Sequence, residues 1–345
     1  MKHIPLLFVT LLLLPTFCFP QDGQQRFASL GDFKLESGET ILDCRIGYRT
    51  FGRLNPTDRS NIVVMSTWFT GRTGEMTGLF GEGKLIDTSK YYVIAIDSLG
   101  NGISSSPSNS KLQPRMKFPK FSIVDVVNSQ YNLLTRVLAI HHVRAIAGSS
   151  SIAGQATLQW MVSYPDFMDK AIPISASPRL TPYDLLLRQA MRDAITGDSI
   201  WKNGNYTVQP GTRLVAELAS LIDITPEVFN ESHKRDDVPA AIADMAKAIA
   251  QFDANDHLRQ SEAMSTHDIS REFGGSMDEA AKVVRAKTLI IVSATERIVN
   301  PGPALAFAKL IRAEVLELHN KCGQVLSSCD ADKVNSAIAE FLERQ

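Results

Sequence analysis

Residues 145–154 read Ala145-Ile146-Ala147-Gly148-Ser149-Ser150-Ser151-Ile152-Ala153-Gly154. A short apolar, β-rich run meets a string of small residues, and 155–164 then has the make-up of a helix. A strand that turns straight into a helix needs small residues two places before and two after the residue at its tip, because larger side chains there collide. Ser149 and Ala153 fill those places if Ser151 is the tip, whereas Ser150 at the tip puts Ile152 in the second one. Ser151 is therefore the candidate nucleophile. The glycines that usually flank such a turn are absent, and serines also suit the plain role of capping the helix that follows. Taken alone, the decapeptide leaves both readings open.

On either side of it, short apolar runs alternate with helical patterns, and strands are expected at 45–50, 62–66, 91–97, 143–148, 170–175, 288–293 and 314–318. Several runs are almost continuously apolar, such as Leu289-Ile290-Ile291-Val292. That pattern suits strands covered on both faces, as in a parallel sheet flanked by helices. Helical spacing marks Ile123, Val126, Val127, Tyr131, Leu134, Val137 and Leu138, then 304–311 behind Pro303, then 334–342. The class is α/β. Between residues 178 and 282 the pattern is helical without a convincing strand, which reads as a helical cap inserted between core segments 21–177 and 283–345. Gly100-Asn101-Gly102-Ile103-Ser104-Ser105 has the look of a dinucleotide loop, but its third glycine is Ser and Pro107 follows where a helix should open. It reads as an ordinary loop.

Of the 345 residues 44% are hydrophobic and 21% charged, with 36 basic against 37 acidic side chains, as in a globular domain. A net charge of -1 without a basic run argues against nucleic acid as a partner. Lys2 and His3 precede an apolar stretch at 4–14 that ends at Pro15. This is shorter than the roughly 20 residues of a spanning helix, so 1–20 reads as a signal peptide, giving a secreted or periplasmic protein with no membrane association after cleavage. Export would make Cys322 and Cys329 a candidate disulfide and leave Cys44 over, with three free thiols as the competing arrangement. No metal site is expected, since no histidine stands at ligand spacing from the cysteines and His141-His142 are adjacent.

A Ser-based site of this topology expects an acid after a late strand and a base after the last one. Glu296 follows the strand at 288–293, and an ion pair with Arg297 or Lys321 is its commoner fate. The loop after 314–318 reads His319-Asn320-Lys321-Cys322-Gly323-Gln324-Val325.

Here the chain resembles the homoserine O-acetyltransferase-like branch of the α/β-hydrolase superfamily, from about residue 33 to 342. The segments that carry the resemblance are Thr67-Trp68-Phe69-Thr70-Gly71, Asp97-Ser98-Leu99-Gly100-Asn101-Gly102, Gln159-Trp160-Met161-Val162-Ser163-Tyr164-Pro165-Asp166, Phe252-Asp253-Ala254-Asn255 and Val299-Asn300-Pro301-Gly302-Pro303-Ala304. The resemblance implies an α/β-hydrolase fold with a helical cap, Ser151 as nucleophile, Glu296 as acid where the family usually has Asp, and Gln324 where the family has His after Gly. A glutamine amide hydrogen-bonds but does not take and return a proton near neutral pH, so the triad would be impaired. His319 is the candidate substitute base, while His257 and His267 lie in the cap with nothing to fix their direction and are read as structural. Backbone N–H groups of Ile152 and of the Phe69-Thr70 turn would form the oxyanion hole. Trp68 and Phe69 could wall an acyl pocket, and Arg179 and Asp184 are further polar candidates.

Two functions follow as expectations. One is acyl transfer or ester hydrolysis through Ser151 on a small-molecule substrate; the other is a catalytically silent descendant that binds a small ligand or a partner through the same pocket. No cofactor is expected, and the resemblance implies a homodimer formed through the cap.

Overall fold

The computed structural model describes residues 23–321, 323 and 329–344; the segment 1–20, expected to be a signal peptide, and Gln324 lie outside them. Among the described residues, one eight-stranded sheet is formed by β1 (Arg26–Lys34), β2 (Thr40–Phe51), β3 (Ile62–Ser66), β4 (Tyr92–Ile96), β5 (Val143–Ser149), β6 (Met168–Ile174), β7 (Lys287–Ser293) and β8 (Glu314–Leu318). The strand order is β1-β2-β4-β3-β5-β6-β7-β8. The β1–β2 and β2–β4 pairs are antiparallel and all the others parallel.

β3 and β4 are buried at every position, and the pleat shares their side chains between two cores. Val64, Ile94 and Ile146 pack with Trp160 and Val126 on one face. Val63, Met65, Val93 and Ala95 pack with Val334, Ile338 and Phe341 on the other. Alternate residues of one strand thus serve opposite layers, which is why these strands are apolar throughout. Helices α1 (Ile123–Asn132) and α2 (Ser151–Ser163) cover the first face. Ser122 and Asp125 start α1 with a reciprocal capping box.

The chain between β6 and β7 supplies α3 (Pro182–Thr196), α4 (Thr212–Ile222), α5 (Pro226–Ser232), α6 (Val238–Ile249), α7 (Ala254–Ser265) and α8 (Met277–Val283). Thr181 and Asp184 form a capping box at the start of α3, with Pro182 in its first turn. Then α9 (Gly302–Ile311) precedes β8 and α10 (Ala331–Glu343) follows it. The α/β class is as expected. β1 was not foreseen, because only Ala28 and Phe33 of its nine residues are buried and a mostly exposed edge strand shows little apolar pattern. The 100–105 segment is a loop: Asn101 Nδ2 donates to Asp97 Oδ1 at 3.0 Å and to Gly71 O at 2.9 Å.

Among the described residues there is no group of His, Cys, Asp and Glu arranged to hold a metal ion, and no helix long and apolar enough to cross a membrane. Cys44 is a free thiol, and burial pushes it up to about 12. Cys329 is disulfide-bonded; its expected partner Cys322 lies outside the described residues.

Candidate active site

The tip of the β5–α2 turn is strained in the way the sequence requires. Ser150 has φ 87° and Ser151 φ 47°, both in the left-handed half of backbone space. For residues with a Cβ this costs on the order of 1–3 kcal/mol each. The strain is held by β6, since Ser150 N donates to Ile174 O at 2.9 Å and Ser151 N to Ser175 O at 3.1 Å. Space is made by glycines one place further out than the usual pattern. A Cβ on Gly148 would lie 2.2 Å from Ala153 O, and one on Gly154 would lie 2.5 Å from Ala176 Cβ. Helix capping does not explain the serines, because Ser150 occupies the N-cap of α2 without a side-chain cap bond.

Ser149, Ser150 and Ser151 form part of the wall of a cavity of about 460 Å³. Trp68, Phe69 and Thr70 line it beside them, and α3, α4 and α6 roof it with Leu187, Met191, Val215, Ala219 and Ile249. Trp68 and Phe69 therefore do face the cavity. The N–H groups of Phe69 and Ile152 have no acceptor among the described residues. Thr70 differs: its N–H donates to Gln260 Oε1 at 2.8 Å, and Gln260 Nε2 donates on to Leu99 O at 2.9 Å. The expected oxyanion donor at Thr70 is thus already committed, which corrects that assignment.

Glu296 lies beyond the end of β7, with Oε1 accepting from Arg297 N at 3.2 Å and Ile298 N at 3.1 Å. Its Oε2 is buried without a hydrogen-bond partner among the described residues, as is Ser175 Oγ. Burial pushes the carboxyl up to about 7, against the pull of the Ile298 N–H and the nearby Ser175 hydroxyl, and Asp223 adds to the rise. Asp223 itself lines the cavity and is raised by burial to about 6. The loop after β8 comes back to this point: Gly323 N donates to Thr295 Oγ1 at 3.2 Å, next to Glu296. Gly323 has φ 82°, and a Cβ there would lie 3.3 Å from Asp223 O, so glycine suits the position before residue 324.

His319 is not brought to the serine. Its ring is exposed and stands 3.8 Å from Glu317 Oε1, and it does not line the cavity, which corrects its reading as a substitute base. The strand end turns this side chain outward. Ser151 Oγ has no hydrogen bond to any histidine among the described residues. Arg179 pairs with Asp268 at 3.4 Å away from the cavity. Asp184 is spent on the α3 cap and on Asn300 N at 3.0 Å.

The sequence reading missed Arg188 as a cavity residue and took His257 for a structural one. Arg188 of α3 is 5% exposed and lines the cavity. His257 of α7 lines it too, edge-on to Phe69 with ring centroids 4.6 Å apart. Burial and then Arg188 push its imidazole down to about 4, so it is neutral near pH 7. The one available signal for Arg188 was its place on the stripe Asp184, Arg188, Met191, Ile195, the inward face of α3.

No family model matches the chain. It is 30% identical over 338 residues to the ethyl acetate hydrolase of Pseudomonas veronii, covering 93% of this chain and 96% of that protein. It is 28% identical to the homoserine O-acetyltransferase of Methanosalsum zhilinae, covering 90% of this chain and 71% of the relative. Among solved structures it is similar to an acetylester hydrolase from Corynebacterium glutamicum, with a TM-score of 0.87 at 27% identity over 93% of this chain and 96% of that one. A cap-covered cavity reached by a serine on a strained strand-to-helix turn agrees with those likenesses, and the chain belongs to the α/β-hydrolase superfamily, in the group that holds acetyl-ester hydrolases and homoserine O-acetyltransferases.

Proposed function

We propose that this protein acts on small esters or acyl groups through Ser151, as an exported hydrolase-like enzyme whose triad is impaired by Gln324. The observation that carries the reading is the strained Ser151 turn opening on a mainly apolar, capped cavity. Ser151 Oγ would attack the ester carbonyl while the N–H groups of Ile152 and Phe69 stabilise the oxyanion. The serine proton would pass through water to the departing alkoxide, the alcohol would leave an acyl-serine, and a second water would hydrolyse it to the carboxylic acid and free the hydroxyl. Glu296, with an unpaired buried oxygen, awaits a donor; an amide at 324 would supply a hydrogen bond but would not carry the proton. Relatives named as an ethyl acetate hydrolase and homoserine O-acetyltransferases support the reaction class. Hydrolysis is favoured over transfer from acetyl-CoA, which an exported protein would seldom meet.

A fluorophosphonate probe tests the reading: it should label the wild type and leave Ser151→Ala unlabelled. Equal labelling of both, or none of either, would favour the second function, a silent binder using the same cavity. The absence of a Ser151–histidine hydrogen bond among the described residues is what favours that alternative. Export predicts a mature N-terminus near residue 21, read by N-terminal sequencing of protein from its native host; a retained residue 1 would contradict it. The exposed apolar side chains of α3 and α4, Leu186 and Leu221 above all, support a homodimer through the cap.

A further inference from the structure

We propose that Arg188 is an anion receptor in the roof of the Ser151 cavity and that the ester or acyl compound taken there carries a carboxylate. The inference rests on the reading of that cavity as the substrate site and adds a substrate class to it.

Arg188 Nε and Nη2 are buried with no hydrogen-bond partner among the described residues. A guanidinium has five N–H donors and stays charged at neutral pH, so leaving it dry and unpaired is costly unless something supplies an acceptor. The fold does not. Asp184, one turn earlier on α3, attracts the Arg188 charge but makes no hydrogen bond to it, its oxygens being committed to Thr181 N and Oγ1 at 2.8 Å each and to Asn300 N at 3.0 Å. The contrast with its neighbours is informative, because Arg192 and Arg259 each meet Glu262 at 2.7 Å. The cap thus pairs two other arginines and leaves Arg188 for the cavity.

What Arg188 does touch is the ring of Phe69, with the guanidinium carbon 5.8 Å from its centroid. His257 meets the same ring from another side and has a buried Nε2 without a partner. Phe69 is also the residue whose backbone N–H is open to an oxyanion. One aromatic ring therefore separates the place of the reacting carbonyl from a pair of unsatisfied nitrogens. The same cavity offers alkyl side chains, Leu187, Met191 and Val215 among them. A short aliphatic chain with a carboxylate at one end and an ester at the other matches this sequence of surfaces. Arg188 would take the carboxylate by two parallel hydrogen bonds, with a His257 N–H close by.

Binding of hexanoate and of hexanamide, which share a chain but not a charge, tests this by calorimetric titration of the full protein at neutral pH. Hexanoate should bind at least about tenfold more tightly than hexanamide. Arg188→Met should erase that preference, and Arg188→Lys, which keeps the charge but loses the fork, should retain part of it. Equal binding of the two ligands to the wild type, or a preference that survives Arg188→Met, would overturn the proposal. Should Arg188→Met fail to fold, the wild-type comparison and Arg188→Lys still decide. No turnover is needed: a carboxylate preference without probe labelling at Ser151 would remove the hydrolase reading alone, and labelling without the preference would remove the receptor alone.

Discussion

Gly148 shows how one hydrogen atom in place of a methyl lets the turn exist. With only 2.2 Å between the position of a Cβ on this residue and Ala153 O, either the first turn of α2 or the end of β5 must move to admit a side chain. Gly148→Ala should therefore lower stability by roughly 1–3 kcal/mol, seen as a lower urea midpoint, and should also reduce probe labelling at Ser151. An unchanged midpoint would show that the turn yields more easily than its contacts imply. Glu296 makes a pH-dependent prediction. Its carboxyl is raised from 4.5 to about 7 in the folded protein, so the folded state holds the proton more tightly than the unfolded chain does. That contribution is complete below about pH 4.5 and is lost as pH rises through about 7. Relative to Glu296→Gln, the wild type should lose roughly 2 to 3 kcal/mol between those limits, measured by denaturant unfolding. Parallel pH profiles for the two proteins would contradict this.

Helix α10 illustrates the same accounting for an element. Lys170 of β6 is fully buried, and its Nζ donates to Phe341 O at 2.7 Å, to Leu342 O at 3.2 Å and to Arg344 O. These are carbonyls at the helix end, which have no partner within the helix. Lys170→Met should leave Phe341 O without its donor, while Leu342 O and Arg344 O keep Arg144 Nη2 at 2.8 Å each, costing roughly 1–3 kcal/mol and speeding hydrogen exchange in the last turn of α10. Unaltered exchange there would mean that the clamp is dispensable. Legibility divides along similar lines. β3 and β8 have the bounds their sequence runs suggest: burial on both faces leaves β3 a run that only a covered strand explains, whereas β8 is an edge strand with only Leu318 fully buried. β2 extends back to Thr40 because it pairs with the unforeseen β1, a partnership that local pattern does not reveal. The strained turn at Ser150 and Ser151 could be found because small residues at fixed offsets are a local steric demand. Arg188 and His257 could not, because their meeting at Phe69 depends on how the cap settles over the core, which no single segment encodes.

At the scale of the whole molecule, cap and core divide the work: the sheet fixes the serine and the oxyanion turn, and the cap supplies the roof. The cap also carries exposed apolar side chains, with Leu186 66% and Leu221 67% exposed. If these bury against a second copy, light scattering after size exclusion should give a dimer for the wild type and a monomer for the Leu186→Asp, Leu221→Asp double variant. A wild-type monomer would contradict the proposed dimer. The proposed impairment of the triad supposes machinery that is intact apart from its base. Losing the histidine of a serine protease triad costs on the order of 10⁶ in turnover, so restoring one should be conspicuous. The direct measurement is hydrolysis of p-nitrophenyl acetate by wild type, Gln324→His and Gln324→His with Ser151→Ala. The expected result is a gain of about 100-fold or more in kcat/KM for Gln324→His that vanishes in the double variant. A Gln324→His rate no higher than wild type, or a gain that persists without Ser151, would contradict it.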